Sequence, residues 1–137
     1  MKKALLLFFC AATVMLSSCK KTVYVPDETL PNQTILINIQ PNAWQASANG
    51  ETLSAHLEVP ELDDDTFAND DVSLMISRFS NNVYEKIPFV YDGLSYSYSI
   101  TPGAIDIDIQ TSDDQNRIPT RPTTVTVVKV VLITSSL

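Results

Sequence analysis

From residue 34 to its end the chain alternates apolar and polar side chains with a period of two, and each of its three glycines sits where a turn is needed. A period of two sends successive side chains to opposite faces of a strand, so such segments must pair into sheets that bury one face. Ile35, Ile37 and Ile39 alternate with Leu36, Asn38 and Gln40 until Pro41 stops the run. Leu53, Ala55, Leu57 and Val59 alternate with Ser54, His56 and Glu58, and Pro60 ends that segment. Val72, Leu74 and Ile76 open another strand, and 83–91, 95–101, 104–111 and 123–134 continue the series. No segment carries a helical stripe of any length.

The turns set a register that the apolar pattern can check. Asn49-Gly50 and Asp92-Gly93 are the residue pairs that a two-residue hairpin favours, because a type I′ turn needs positive φ at both central positions. With Asp92-Gly93 as the turn, Tyr91 faces Leu94, Phe89 faces Tyr96 and Ile87 faces Tyr98, all six on one face. Continuing through Pro102-Gly103, Ile100 faces Ile105, Tyr98 faces Ile107 and Tyr96 faces Ile109. A one-residue slip would destroy this match. Proline disfavours a primed two-residue turn, so a loop longer by an even number of residues is expected there, with the same parity. Residues 61–71, with Asp63, Asp64 and Asp65 ahead of Phe67, read as one capped helical turn. The nearly all-apolar stretch 125–133 suits a central strand covered on both faces. The expectation is an all-β fold, a single antiparallel β-sandwich of about seven or eight short strands.

The N-terminus follows different rules. Lys2 and Lys3 precede 13 apolar or small residues, 4–16, a length that fits a secretory signal and is too short to span a bilayer. Leu16-Ser17-Ser18-Cys19 resembles the bacterial lipobox, which implies cleavage before Cys19 and diacylglyceryl modification of its thiol. The expected organisation is a lipoprotein signal peptide at 1–18, a lipidated N-terminus and tether at 19–33, and a sandwich domain at 34–137. Loss of Lys2 and Lys3 takes the basic count from 9 to 7 against 16 acidic residues, a formal charge of −9 on the mature chain. That charge disfavours nucleic acid as a partner, so the membrane is met through the lipid. With Cys10 removed and Cys19 acylated, no thiol is left for a disulfide, a zinc-thiolate site or a nucleophile.

Candidate chemistry is sparse. His56 is the one histidine, with Glu58 two residues on along the same face; one histidine without cysteine is a poor zinc site, and a solvated strand histidine is the simpler reading. The acids of 61–71 are a candidate calcium site, but they lack the alternating carboxylates, central glycine and distal glutamate of an EF-hand, and helix capping is the simpler account of them. Asp106 and Asp108 face outward beside Ser97 and Ser99, an arrangement suited to sugar hydroxyls or, at the spacing of glycosidase carboxylates, to hydrolysis, and also to plain solubility. Trp44 falls on an apolar hairpin face and reads as a core plug, which leaves Tyr24 and Tyr84 as the freer aromatics. The longest unpatterned connection, 111–122, holds Asp113, Asp114, Arg117 and Arg121, charges suited to recognising a protein or a glycan. Gly-rich phosphate loops, a Ser nucleophile elbow, Cys-x-x-Cys and His-Glu-x-x-His are absent from the sequence, so no cofactor and no catalytic residue is expected.

The lipobox, Trp44-Gln45, Val59-Pro60-Glu61-Leu62, Ile87-Pro88-Phe89, Ser95-Tyr96-Ser97-Tyr98 and the valine-rich closing strand together resemble small Bacteroidota lipoproteins of undetermined function. The resemblance implies an outer-membrane lipoprotein. Surface-export signals in that phylum place acidic residues after the lipidated cysteine, where this chain has Lys20 and Lys21, so both the cell surface and the periplasmic face remain as orientations. The expected function is non-catalytic binding or scaffolding at the cell envelope, with a carbohydrate-binding accessory role as the alternative.

Overall fold

A computed structural model describes residues 31–79, 83–112 and 118–135. It holds nine strands, a single 3-10 turn (Pro41–Ala43) and one short α-helix among those residues: β1 (Gln33–Ile39), β2 (Gln45–Ala46), β3 (Thr52–Glu58), α1 (Asp64–Asn69), β4 (Asp71–Ser77), β5 (Glu85–Lys86), β6 (Phe89–Tyr91), β7 (Leu94–Thr101), β8 (Ala104–Thr111) and β9 (Thr126–Ile133). A four-stranded antiparallel sheet, ordered β1-β9-β4-β5, faces a five-stranded one, ordered β2-β3-β8-β7-β6. The protein is therefore an all-β, sandwich-like fold. Two of its strands, β2 and β5, are only two residues long.

The core follows from the alternation. Ile39, Leu74, Ile76, Val128 and Val130 of the first sheet pack against Leu53, Ala55, Leu57 and the Ile105, Ile107, Ile109 ladder of the second. Strand β9 lies between β1 and β4, as its apolar composition predicts. Its inward residues are buried, and of the outward ones Val127 is buried, Lys129 and Val131 are half-buried and Ile133 is exposed. Cover on the outer face is thus partial.

The meander has the predicted register. Phe89↔Tyr96, Tyr91↔Leu94, Tyr96↔Ile109, Tyr98↔Ile107 and Ile100↔Ile105 are all Cα partners. Asp92 (φ 48°) and Gly93 (φ 71°) both occupy the left-handed region, as a type I′ turn requires. Three expectations are corrected. Pro102-Gly103 closes a tight two-residue loop, since Thr101 pairs directly with Ala104. Proline at the first central position and Gly103 at φ 79° suit a type II turn, which escapes the primed-turn conflict. Residues 83–91 are not one strand: β5 pairs β4 in the first sheet and β6 pairs β7 in the second. Between them the chain crosses the sandwich at Ile87-Pro88, a cis peptide bond, so Ile87 does not face Tyr98. Its N–H instead donates to the Leu74 carbonyl at 3.1 Å. Finally, Tyr91 is half exposed, because β6 ends where the sandwich opens.

Helix α1 is the capped turn expected of 61–71. Asp63 accepts the Thr66 N–H at 2.8 Å, and that backbone bond holds its carboxyl below the usual 3.8. No described helix is long and apolar enough to cross a membrane.

Candidate functional site

At one end of the sandwich the end of β4, the β6–β7 turn, the end of β8 and the segment entering β9 surround a cavity of about 290 Å³. Its deep wall is apolar, built from Trp44, Ile76, Leu94, Tyr96 and Ile109. Trp44 is wholly buried, and its Nε1–H has no hydrogen-bond acceptor among the described residues. The rim carries the polar groups: Arg78, Asp92, Arg121 and the threonines 120, 123 and 124. A second hollow of about 190 Å³, lined by Arg78, Phe79, Val83, Glu85 and Tyr91, adjoins the first. Arg78, Phe79 and Tyr91 line both, so they form the ridge between the two.

Local structure explains the ridge. Arg78 follows the last residue of β4, where the alternation ends and a side chain can turn along the sandwich mouth. Its side chain is only 8% exposed. The Nε and a terminal nitrogen donate to the two Glu85 oxygens at 2.8 and 2.9 Å, a fork-to-fork pair across the β4–β5 connection. Four rings surround the guanidinium: Tyr91 at 4.0 Å to the centroid, Phe79 at 4.7 Å, Phe89 at 5.2 Å and Tyr96 at 5.4 Å. Phe89 and Tyr96 are stacked, 4.7 Å apart and within 8° of parallel. Cation–π attraction and the ion pair hold the cluster in place while Tyr91 stays 50% and Phe79 78% exposed. Exposed rings on a rigid base make a stacking platform.

Of the residues singled out in the sequence, Arg121 lies on this rim, exposed and without an ion pair among the described residues. Asp106 and Asp108 lie elsewhere, on the outer face of the second sheet opposite Ser99 and Ser97, as the register predicts. Across β3 they meet His56 and Ser54: the His56 ring Nδ1 is 2.8 Å from Asp106, and the Ser54 hydroxyl donates to Asp108. His56 is 62% exposed and pairs with Asp106 rather than Glu58, so this is a solvated cross-strand ladder. Tyr84 sits beneath the Lys129 ammonium, 4.2 Å from its ring centroid, on the outer face of the first sheet. Cys19, Tyr24, Asp113, Asp114 and Arg117 fall outside the described residues.

Four of the six acids of 61–71 accept hydrogen bonds from the protein. Asp63 caps the helix, Asp65 accepts from the Asn69 amide, Asp70 accepts the Ser135 N–H and Asp71 the Val72 N–H. Among the described residues no group of three or more His, Cys, Asp or Glu is placed to hold a metal ion.

Sequence reasoning missed Arg78, Phe79 and Tyr91. A signal existed in Arg78-Phe79, an exposed-type pair just beyond an apolar strand, but nothing local joined it to Tyr91. No family model, curated protein or solved structure matches the chain.

Proposed function

We propose that this protein is a lipid-anchored lipoprotein of the cell envelope whose β-sandwich binds a ligand without transforming it. The supporting observation is the cavity at the loop end of the sandwich, with an apolar floor, a rim of polar groups and a ridge of exposed aromatics. Largely pre-formed pockets of that make-up are the usual form of a small-ligand site. The rim residues Thr120 and Arg121 belong to the 111–122 connection, the segment that the sequence marks for recognition. Binding alone is the economical reading, because among the described residues no hydrogen bond joins a rim hydroxyl to the Asp92 carboxylate or to any other base. The described carboxylate–histidine pair is on a sheet face, away from the cavity lining.

The anchor rests on Leu16-Ser17-Ser18-Cys19 and would hold the domain at the outer membrane, facing the surface or the periplasm. Cells fed an alkyne-tagged fatty acid test it: the full-length chain should take up label and pellet with membranes, and Cys19→Ala should do neither. The binding half is read from Trp44, the one tryptophan of the chain, whose indole is part of the cavity wall. Its emission should move on titration with at least one member of a panel of glycans, peptidoglycan fragments and peptides. A flat response across the panel would remove the cavity as a binding site.

A further inference from the structure

We infer that the ligand of this cavity is an oligosaccharide carrying a carboxylate, with Arg121 as its anionic anchor and Tyr91 and Phe79 as its stacking faces. This rests on the binding reading above and names the ligand class.

Charge distribution supplies the first argument. The chain has a formal charge of −7, yet two of its three arginines line this one cavity. Arg78 is neutralised by Glu85, whereas Arg121 is exposed and has no ion pair among the described residues. The rim also carries Asp92, but Arg121 forms no ion pair with it, so its guanidinium stays available and offers a ligand carboxylate two parallel donors on an otherwise acidic molecule.

The shape supplies the second. Two hollows share the Arg78–Phe79–Tyr91 ridge, so a ligand that fills both must be a chain that passes over aromatic rings. Sugar rings present C–H faces to such rings and hydroxyls at their edges, and the threonine hydroxyls at 120, 123 and 124 line the same cavity. An extended peptide would instead draw on the backbone of a free sheet edge. The edge strands nearest the ridge, β5 and β6, offer only two and three residues, too little ladder to hold a strand.

The test titrates the folded protein with oligogalacturonate, with its carboxyl-reduced neutral counterpart, and with a peptide ending in a free carboxylate, following Trp44 emission. Oligogalacturonate should bind about tenfold or more tighter than the neutral chain, the gap expected for one charge-assisted fork. Arg121→Gln should erase that preference, bringing oligogalacturonate affinity down to about that of the neutral chain. Tyr91→Ala should weaken both, with Asp106→Asn, on the far sheet face, as an unaffected control. Thermal melts of each variant separate lost binding from lost folding. Equal binding of acidic and neutral chains would overturn the carboxylate assignment and leave a binding cavity. Binding of the peptide alone would overturn the sugar class, again with the cavity intact. Silence towards all three probes, with a response elsewhere in the wider panel, would overturn the inference without touching the binding reading.

Discussion

The guanidinium carbon of Arg78 stands 4.0 Å from the centroid of the Tyr91 ring, closer than to any of the other three rings around it. These residues belong to different sheets, one just past β4 and the other at the end of β6. Their contact therefore ties the two sheets together at the mouth of the cavity. A cation held there by Glu85 gives the rings a fixed base.

Arg78→Met should destabilise the fold by about 2 kcal/mol, since it strips Glu85 of its partner and four rings of their cation. That is below the cost of breaking a fully buried pair, because the Glu85 side chain is 34% exposed and water can solvate it. Urea denaturation of Arg78→Met, Glu85→Gln and the double variant gives the coupling. Strictly additive losses would show that the pair contributes nothing.

Trp44→Ala should cost about 3–5 kcal/mol, as a wholly buried indole is replaced by a void. Trp44→Phe should cost much less, on the order of 1–2 kcal/mol, because it also removes an N–H that has no acceptor. Chemical denaturation of the two variants checks the order. A phenylalanine variant as unstable as the alanine one would mean that the indole N–H is satisfied in solution.

Gly103→Ala isolates a backbone effect. Nothing lies within 4 Å of an added Cβ, so the cost comes only from φ 79° and should be about 1–2 kcal/mol. An unchanged urea midpoint would show that the Pro102-Gly103 turn relaxes freely.

Asp63 contributes a pH-dependent increment. Its folded carboxyl titrates below 3.8 because the ionised form accepts the Thr66 N–H. Stability from this cap is thus present above 3.8 and is lost as pH falls through the lower folded value. Asp63→Asn keeps an acceptor but cannot ionise, so the gap in Tm between wild type and variant should close on acidification below 3.8. A gap that stays constant down the acid limb would refute the assignment.

The His56–Asp106 pair should matter little. Side chains 62% and 39% exposed are screened by water and salt, so His56→Ala should shift stability by about 0–1 kcal/mol, and less at high ionic strength. A loss of several kcal/mol at high salt would point to a structural role that its exposure does not suggest.

The strands were legible because their information is local. Alternation at Leu53–Ala55–Leu57 or Ile105–Ile107–Ile109 names a buried face without knowing what covers it, and Asp92-Gly93 dictates a register that only one parity satisfies. Helix α1 was legible for the same reason, through the Asp63 cap. The stretch 83–91 misled because its apolar residues continue across the passage from one sheet to the other. A sheet change leaves no break in composition, and at Ile87 the residue stays buried on both readings.

By itself, then, the chain determined most of the strands, which faces they bury and how the β6–β7–β8 meander is paired, since these depend on neighbours a few residues apart. Tertiary structure alone decided where the sheets open. The cavity gathers Trp44, Arg78, Phe79, Tyr91 and Arg121 from four distant stretches of chain, and its depth comes from how two twisted sheets part at one end. No period or spacing encodes that meeting, because the residues that form it are adjacent only once both sheets have packed.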